Sequence, residues 1–326
     1  MIVDQIAIDD EGNISYQGQA FRGHGYKDAS PEVRLQHHLS NLLYGAFYTR
    51  KGINVMITDK DLPNDTYFLG GLKKANSSKE RFDGGWTVEE IEHNGNIIVH
   101  KGGYRRYTFA GDFIRDQFMQ GPLQRYEKVN IRVVPEFAAE EENANDFYYV
   151  FGETLLESNH ASMVRIYFNI SPQGAPELIR ILTHKLNAYQ IPFQFKCLGH
   201  PDLYDRCDSS VLYIDKRYVE VVGDLILEEY HHLKTWLRPE VPMFTLELAP
   251  GIAFAENPFA SDESYGTSRC KLVAQALLQA LKNEAPRENW VEIILLTFRK
   301  NFLVPDAPYL NPNSKYPYQF PQFQNA

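Results

Sequence analysis

The most regular pattern of apolar and polar positions in the chain lies between residues 163 and 216. Apolar residues alternate with polar ones in the segments MVRIYFNIS, IPFQFKC and SSVLYIDK, and a period of two predicts β-strands. Between the first two segments, APELIRILTHKLNAYQ carries apolar residues three to four positions apart, which predicts an amphipathic helix. This stretch is therefore predicted to run strand, helix, strand, loop, strand.

The same alternation predicts which side chains share a face of the sheet. If the three strands pair with their polar faces aligned, one surface carries two cations, two tyrosines and an amide. These residues are Arg165, Tyr167, Asn169, Lys196 and Tyr213. Arg206, in the loop before the third strand, is expected at the rim of this surface. We therefore expect an anion-binding pocket that contains a lysine.

Outside this stretch, the pattern predicts a mixture of helices and strands. SPEVRLQHHLSNLLYGAFYT is predicted to be a helix with Ser30 as its N-cap and Pro31 as its first residue. Further helices are predicted over 219–237 and from about Thr267, and a meander of strands before residue 135. NWVEIILLTF is predicted to be a final strand. The expected fold class is α+β, with a twisted, mostly antiparallel sheet flanked by helices.

Composition suggests where the chain divides. Residues 136–146, EFAAEEENAND, are acidic and typical of an exposed boundary, so we predict an N-terminal α+β subdomain over 1–135 and a core over 147–303. Residues 304–326 are rich in proline, asparagine and tyrosine, and are predicted to form an extended or disordered tail.

Charge and cysteine content narrow the class of partner and the compartment. The net charge of −9 argues against binding nucleic acid through its phosphate backbone, although a local basic pocket still suits a small anion. Three cysteines without CxxC spacing argue against a disulfide framework or a structural zinc site and favour a reducing cytoplasm. There is no signal-peptide pattern and no apolar run long enough to span a membrane, so a soluble cytoplasmic protein is expected.

The common nucleotide, nicotinamide, zinc-protease and serine-hydrolase motifs are missing from the sequence, and no metal or organic cofactor is expected. Two other places suggest anion binding. Lys101 lies in a run of cations and glycines that is either a second wall of an anion site or a solvated hairpin tip. Arg269 lies in the first turn of the helix near Thr267, where a cation opposes the helix dipole unless a phosphate, Glu256 or Glu263 lies nearby.

Several pieces of this pattern together resemble the HopA-type effector family, over roughly residues 150–280. They are the R-x-Y-x-N strand, the PF-x-x-K strand, the R-x-D loop with a following tyrosine, and the helix start SYGTSRC. Members of this family occur as plant-pathogen type III effectors and in bacteria that make modified peptides. The central block is also distantly similar to phosphothreonine lyases, which implies a phosphothreonine-lyase-like core.

The lyase resemblance assigns roles to individual residues. It implies that Lys196 is the general base, that Arg206 binds phosphate and that Tyr213 is the active-site tyrosine. Tyr167 falls where the family has a lysine, and Arg269 is placed as a later phosphate-binding arginine.

The family's acid histidine falls on Asn169, which has no acidic proton to give. His200 and Tyr213 are therefore candidate proton donors, with His100 and His160 as weaker ones. A lysine acts as a base only in its neutral form, which burial and neighbouring cations such as Arg165 favour.

The resemblance implies a function in peptide natural product biosynthesis, in class V lanthipeptide and thioamitide gene clusters. There a kinase-like partner phosphorylates Ser or Thr of a precursor peptide, and a lyase eliminates the phosphate to give dehydroalanine or dehydrobutyrine. The alternative is a non-catalytic, effector-like module that binds a phosphorylated or acidic peptide. Simpler interpretations also stay open for two of these residues. Lys196 is a surface lysine or pairs with Asp205 or Asp208, and Arg206 forms an ion pair within its own loop.

Overall fold

The computed structural model describes residues 5–9, 13–21, 30–51, 62, 65–101, 104–115, 120–134, 136–138, 147–154, 156, 162–259 and 263–323. Its strands form three sheets, and every strand pair is antiparallel. The three-stranded sheet contains β1 (Ile6–Ile8), β2 (Ile14–Tyr16) and β3 (Gln19–Phe21). The five-stranded sheet contains β4 (Arg81–Ile91), β5 (Ile97–Lys101), β6 (Tyr104–Thr108), β7 (Phe113–Arg115) and β8 (Lys128–Val133).

The third sheet has seven strands and forms the centre of the molecule. Its members are β9 (Glu136–Ala138), β10 (Phe147–Phe151), β11 (Met163–Phe168), β12 (Phe193–Leu198), β13 (Ser210–Asp215), β14 (Leu246–Ala249) and β15 (Ile252–Glu256). They lie in the order β14, β15, β11, β13, β12, β10, β9. The predicted α+β fold with a mostly antiparallel sheet is therefore confirmed.

The described residues contain six α-helices. They are α1 (Pro31–Leu43), α2 (Thr66–Ala75), α3 (Ala175–Ala188), α4 (Val219–Leu233), α5 (Tyr265–Lys282) and α6 (Trp290–Lys300). The Ser30 hydroxyl caps α1 as predicted, and α1 continues into a π-helical turn over Tyr44–Tyr48. The cap of α5 is Ser264, one turn earlier than the sequence suggested.

Residues 290–300 are a helix, so the prediction of a final strand there was wrong. The run IILL is apolar at every position and therefore carries no period that separates a strand from a helix. The structure resolves the ambiguity because Trp290, Thr297 and Phe298, at helical spacing, are buried on one side of α6. That side packs against α5.

Helices cover both faces of the seven-stranded sheet. Val164, Ile166 and Phe168 of β11 point into an apolar cluster with α3 and α4. Tyr167 of β11 points the other way, into a second cluster that includes residues of α1, α5 and α6. The alternation along β11 therefore separates two cores, and the predicted polar face is the one that α1 and α5 partly cover.

The helices α1 and α5 lie close together where the π-helical turn crosses α5. A Cβ added at Gly266 would lie 2.4 Å from the Tyr48 ring, so only glycine allows this approach. The contact holds the aromatic side chains of the turn against the sheet. Residues 31–48 thus share a core with the C-terminal helices, and the predicted domain boundaries stay a prediction.

Residues 304–323 contain no α-helix or strand and pack on the core as an extended segment. The Phe254 ring of β15 lies 4.6 Å from that of Tyr318 and 4.9 Å from that of Phe320. Phe323 is buried in the cluster under α4. Aromatic side chains therefore anchor this segment.

We predict that Gly266→Ala lowers the free energy of unfolding by about 1–3 kcal/mol, because the added methyl group overpacks against Tyr48. Alanine ordinarily favours a helix over glycine by about 1 kcal/mol. The matched control is therefore Gly70→Ala in α2, where an added Cβ meets nothing within 4 Å and should stabilise the protein. Urea unfolding measures both, and a stabilising Gly266→Ala would contradict the close packing.

Candidate functional site

The strand register brings four of the predicted residues to one face of the central sheet. Arg165 of β11 lies opposite Tyr213 of β13. Tyr167 of β11 and Lys196 of β12 both lie opposite Val211, one from each side. Directly paired residues in a sheet point to the same face, so Arg165, Tyr167, Lys196 and Tyr213 share a surface.

The Tyr213 ring lies between the two cations of this surface. The Arg165 guanidinium carbon is 5.2 Å from the centroid of that ring, and the Lys196 amine is 6.0 Å from it. The same amine lies 4.1 Å from the centroid of Phe147. Cation–π contacts of this kind hold a charged group in place without neutralising it. The side chains of Phe147, Arg165, Lys196 and Tyr213 are half-buried.

Neither of these two cations has a carboxylate partner in the part of the chain that the structure describes. Arg165 donates from Nε to the neutral side chain of Asn257, at 2.7 Å. A half-buried, unpaired charge is costly unless an ion of opposite sign is bound. The two positive charges around Tyr213 therefore favour an anionic ligand.

Arg206 is different, because its charge is balanced inside its own loop. Its Nε and Nη2 atoms donate to the two carboxylate oxygens of Asp208, at 2.5 and 2.8 Å. Nη2 also lies 3.1 Å from the Tyr44 hydroxyl, which in turn donates to Asp208 at 3.3 Å. The simpler interpretation of Arg206 is thus the one observed. Its predicted phosphate contact stays a prediction, resting on a guanidinium that already binds a carboxylate.

Asp208 is buried but remains ionised. Burial raises the pKa of its carboxyl group. Arg206, and to a smaller extent Lys196 and Tyr44, lower that pKa by a larger amount, so it lies below the ordinary value. Lys196 is therefore near enough to Asp208 to interact electrostatically, although the two do not form an ion pair within 4.0 Å.

A cluster of buried tyrosines lies beneath the two cations. The rings of Tyr44 and Tyr48 stack at 5.1 Å, and Tyr265 lies 6.3 Å from Tyr48 and 6.5 Å from Tyr167. Burial raises the pKa of Tyr44, Tyr48, Tyr167 and Tyr265, so all four keep their protons at neutral pH. The Tyr167 hydroxyl is buried and forms no hydrogen bond to any described residue. Tyr48 and Tyr167 of this cluster lie near enough to Arg165 to affect its pKa.

Tyr44 and Tyr48 were missed in the sequence. They come from the π-helical turn after α1, more than 100 positions before Arg165. Their spacing of four residues in YGAFY fits an ordinary helix, and only the fold shows that they meet the β12–β13 loop.

The other predicted residues have structural partners elsewhere. Asn169 lies beyond the end of β11, where its amide donates to the Glu240 carbonyl at 2.9 Å and its buried Oδ1 has no partner among the described residues. His200 caps a short 3-10 turn, since its Nδ1 accepts from the Asp202 amide at 3.2 Å. A ring nitrogen that accepts a hydrogen bond carries no proton, so His200 donates only from its other nitrogen.

Arg269 and Lys101 are not brought to the Tyr213 surface. Arg269 donates to the carbonyls of Pro308 and Leu310, at 2.9 and 2.8 Å, and it is buried there. Neither Glu256 nor Glu263 pairs with it within the described residues. Lys101 belongs to the five-stranded sheet and forms an ion pair with Asp83 at 2.9 Å. His100 lies in the same sheet, and His160 lies outside the described residues.

Among the residues that the structure describes, no group of three His, Cys, Asp or Glu side chains is arranged to hold a metal ion. No helix in the described ranges has the length and apolar character that crossing a membrane requires.

Comparison with known protein families shows which family the chain belongs to. The model of the HopA1 effector protein family matches residues 138–310, which is more than half of the sequence. The chain belongs to the HopA1 effector protein family. The match contains the seven-stranded sheet from β10 onward, α3 to α6 and the cations around Tyr213, whereas Tyr44 and Tyr48 lie outside it.

Two solved structures of effector proteins are similar to this chain. One is an effector protein from Pseudomonas syringae pv. tomato strain DC3000, which is 21% identical with a TM-score of 0.41. The match covers 54% of this chain and 66% of the effector chain. The other is an effector protein from Pseudomonas syringae pv. syringae strain 61, which is 15% identical with a TM-score of 0.45. This match covers 88% of the present chain and 91% of the effector chain. No curated protein sequence matches this chain.

We predict that Asp208→Asn removes part of the acid sensitivity of the fold. Because the pKa of Asp208 is lowered on folding, the stability it contributes is present above its unfolded pKa of about 3.9 and is lost as the pH falls through the folded value. Asp208→Asn lacks this contribution. It also leaves the half-buried Arg206 without its carboxylate, which should cost no more than the about 3–5 kcal/mol typical of breaking a fully buried pair.

Urea unfolding of both proteins at a series of pH values measures this difference. Asp205→Asn is the matched control from the same loop, because Asp205 is 39% exposed and lies 3.7 Å from Lys51. It should cost less than about 1 kcal/mol. An unchanged pH dependence in Asp208→Asn would show that the Arg206 pair does not stabilise the fold.

Proposed function

We propose that the chain is a phosphoserine/phosphothreonine lyase that eliminates phosphate from a phosphorylated peptide. The observation that carries the proposal is the pair of unpaired cations, Arg165 and Lys196, on either side of the Tyr213 ring. A phosphate dianion is attracted to both charges, and Lys196 then acts as a base only after its amine has released a proton to solvent. The resemblance of the central block to phosphothreonine lyases supplies the reaction class.

The reaction is a β-elimination in which every atom is accounted for. A base removes the proton from the Cα atom of the phosphorylated residue, and the electron pair forms the Cα–Cβ double bond. The Cβ–O bond breaks, and phosphate leaves with the bridging oxygen, which takes a proton from the proton donor. Phosphoserine gives dehydroalanine and phosphothreonine gives dehydrobutyrine. The protonated base then releases its proton to solvent, and the donor takes one back from solvent. The protein must therefore supply a base, an anion-binding group and a proton donor.

Arg165 is the phosphate-binding group in this proposal. Its guanidinium keeps its charge at all relevant pH values and offers a planar set of donors that matches phosphate oxygens. Only Nε is bonded to Asn257, which leaves the two terminal nitrogens facing the tyrosines of the site. Arg206, Arg269 and Lys101 are weaker choices, since each already binds a carboxylate or carbonyl oxygen.

Lys196 is the proposed base and Tyr213 the proposed proton donor. The resemblance places the general base of the lyases at Lys196, whose amine lies 6.0 Å from the centroid of the Tyr213 ring. The Tyr213 ring is near both the guanidinium and the amine, so its hydroxyl is the proposed source of the proton for the leaving oxygen. His200 is a poorer donor because one of its ring nitrogens is committed to a turn.

The substrate and partner follow from the family resemblance. We propose that the peptide is a precursor of a lanthipeptide or thioamitide, phosphorylated by a kinase-like partner protein. The half-buried cations suit a single phosphorylated side chain reached from solvent.

A non-catalytic phosphopeptide-binding module is the second candidate, and two observations favour it. The acid histidine of the lyases is replaced by Asn169, whose amide is bonded to Glu240. Lys196 also interacts electrostatically with the Asp208 carboxylate. An amine that stays an ammonium ion binds phosphate but cannot accept a proton.

Mass spectrometry of a phosphothreonine peptide incubated with the protein separates the two candidates. We expect the peptide to lose phosphoric acid, and Lys196→Ala to slow this loss by about 10²–10⁴-fold, the usual effect of removing a positioned acid or base. Arg165→Ala should instead raise the peptide concentration needed for half-maximal rate.

Lys216→Ala is the matched control, since Lys216 lies beyond the end of β13 and contacts the Tyr316 ring at 5.0 Å. It should leave the rate unchanged. Binding of the phosphopeptide with no change of mass would reject the lyase in favour of the binding module. Failure to bind it at all would reject both.

A further inference from the structure

Arg165 is held in place by a buried residue, Asn257. Its Nε donates to Asn257 Oδ1 at 2.7 Å, and Asn257 immediately follows β15. The backbone of Asn257 is fixed at two points. Its N–H donates to the Met163 carbonyl at 3.0 Å, and its carbonyl accepts from Asn311 Nδ2 at 2.6 Å. Hydrogen bonds thus connect Asn311 to Arg165 through a single intervening residue, Asn257.

Asn311 is in turn held by a buried carboxylate. Its backbone N–H donates to Glu256 Oε2 at 2.6 Å, while Ser314 and Tyr318 donate their hydroxyls to Glu256 Oε1 at 2.6 and 2.7 Å. Glu256 is 5% exposed and has no cationic partner among the described residues. A buried carboxylate is tolerated only when hydrogen bonds satisfy it, so these three donors are strongly retained.

Arg269 fixes the other side of the same segment. Its guanidinium donates to the carbonyls of Pro308 and Leu310, which flank Asn311 on its N-terminal side. The residue that the sequence placed as a phosphate ligand therefore binds residues 308–310. Hydrogen bonds of Glu256 to Asn311, and of Arg269 to the carbonyls before it, therefore fix the position of Asn311.

We propose that Asn311 is a positioning residue of the anion site, which acts through Asn257 to aim the Arg165 guanidinium at the phosphate. This inference rests on the proposed function, because it requires that Arg165 bind the phosphate. Asn311 lies one residue beyond the end of the family match, in the segment that the sequence predicted to be extended or disordered. The C-terminal segment is thereby part of the site and more than a covering of the core.

The test is a double-mutant cycle on the full chain, with binding of a phosphothreonine peptide measured by calorimetry. Asn311→Ala removes the bond to Asn257 but keeps the backbone bond to Glu256. We expect it to weaken phosphopeptide binding by about three- to tenfold, the usual range for one hydrogen bond. In an Arg165→Ala background the same substitution should have no further effect, because the group it positions is gone.

Ser314→Ala is the matched control, since it removes a hydrogen bond to the same Glu256 but none to Asn257. It should change thermal stability without changing affinity. If Asn311→Ala does not fold, Asn311→Ser replaces it in the cycle as the smaller change.

The outcomes separate the inference from the proposed function. If Arg165→Ala weakens binding while Asn311→Ala, or its serine substitute, binds like the natural protein, the positioning role is overturned and the phosphate site stands. Equal weakening by Asn311→Ala with and without Arg165 also overturns it, because the effect would not pass through the guanidinium. If Arg165→Ala itself binds normally, the proposed phosphate site fails first.

Discussion

The pairing of β11 and β12 with β13 is the interaction on which the site depends. Arg165 and Tyr213 lie opposite each other, and Lys196 joins them because β12 pairs with the other edge of β13. A slip of one residue in either pairing would turn its side chains to the opposite face, among the apolar residues under α3 and α4. The cost of burying charges there keeps the register fixed. The apolar core thus determines where the cations are.

Sequence periodicity found most of this face with one assumption about strand pairing. Alternation is a local property, so Arg165, Tyr167, Lys196 and Tyr213 could be assigned to one surface once the three strands were taken to pair with their polar faces aligned. Asn169, which was assigned to the same surface, lies beyond the end of β11. The aromatic and amide groups that support them could not be found in this way. Tyr44 and Asn311 come from opposite ends of the chain, and no short-range pattern joins them to the site.

The features that the sequence did not show have related causes. A local pattern gives the position of a charge but not its partner, so it did not show that Asp208 binds Arg206 or that the carbonyls near Asn311 bind Arg269. The strand predicted over the last helix failed because an unbroken apolar run has no period. In each case the missing information is tertiary, because the sequence does not show which group, distant along the chain, contacts the residue.

The central claim is that the phosphate of a peptide binds to the terminal nitrogens of Arg165 beside Tyr213, within reach of Lys196. A crystal structure of Lys196→Ala with a bound phosphothreonine peptide tests it most directly, because the variant should bind the substrate without converting it. We expect phosphate oxygens within hydrogen-bond distance of the Arg165 terminal nitrogens, with the Cα atom facing position 196. A phosphate bound elsewhere, with Arg165 still facing only tyrosines, would contradict the account.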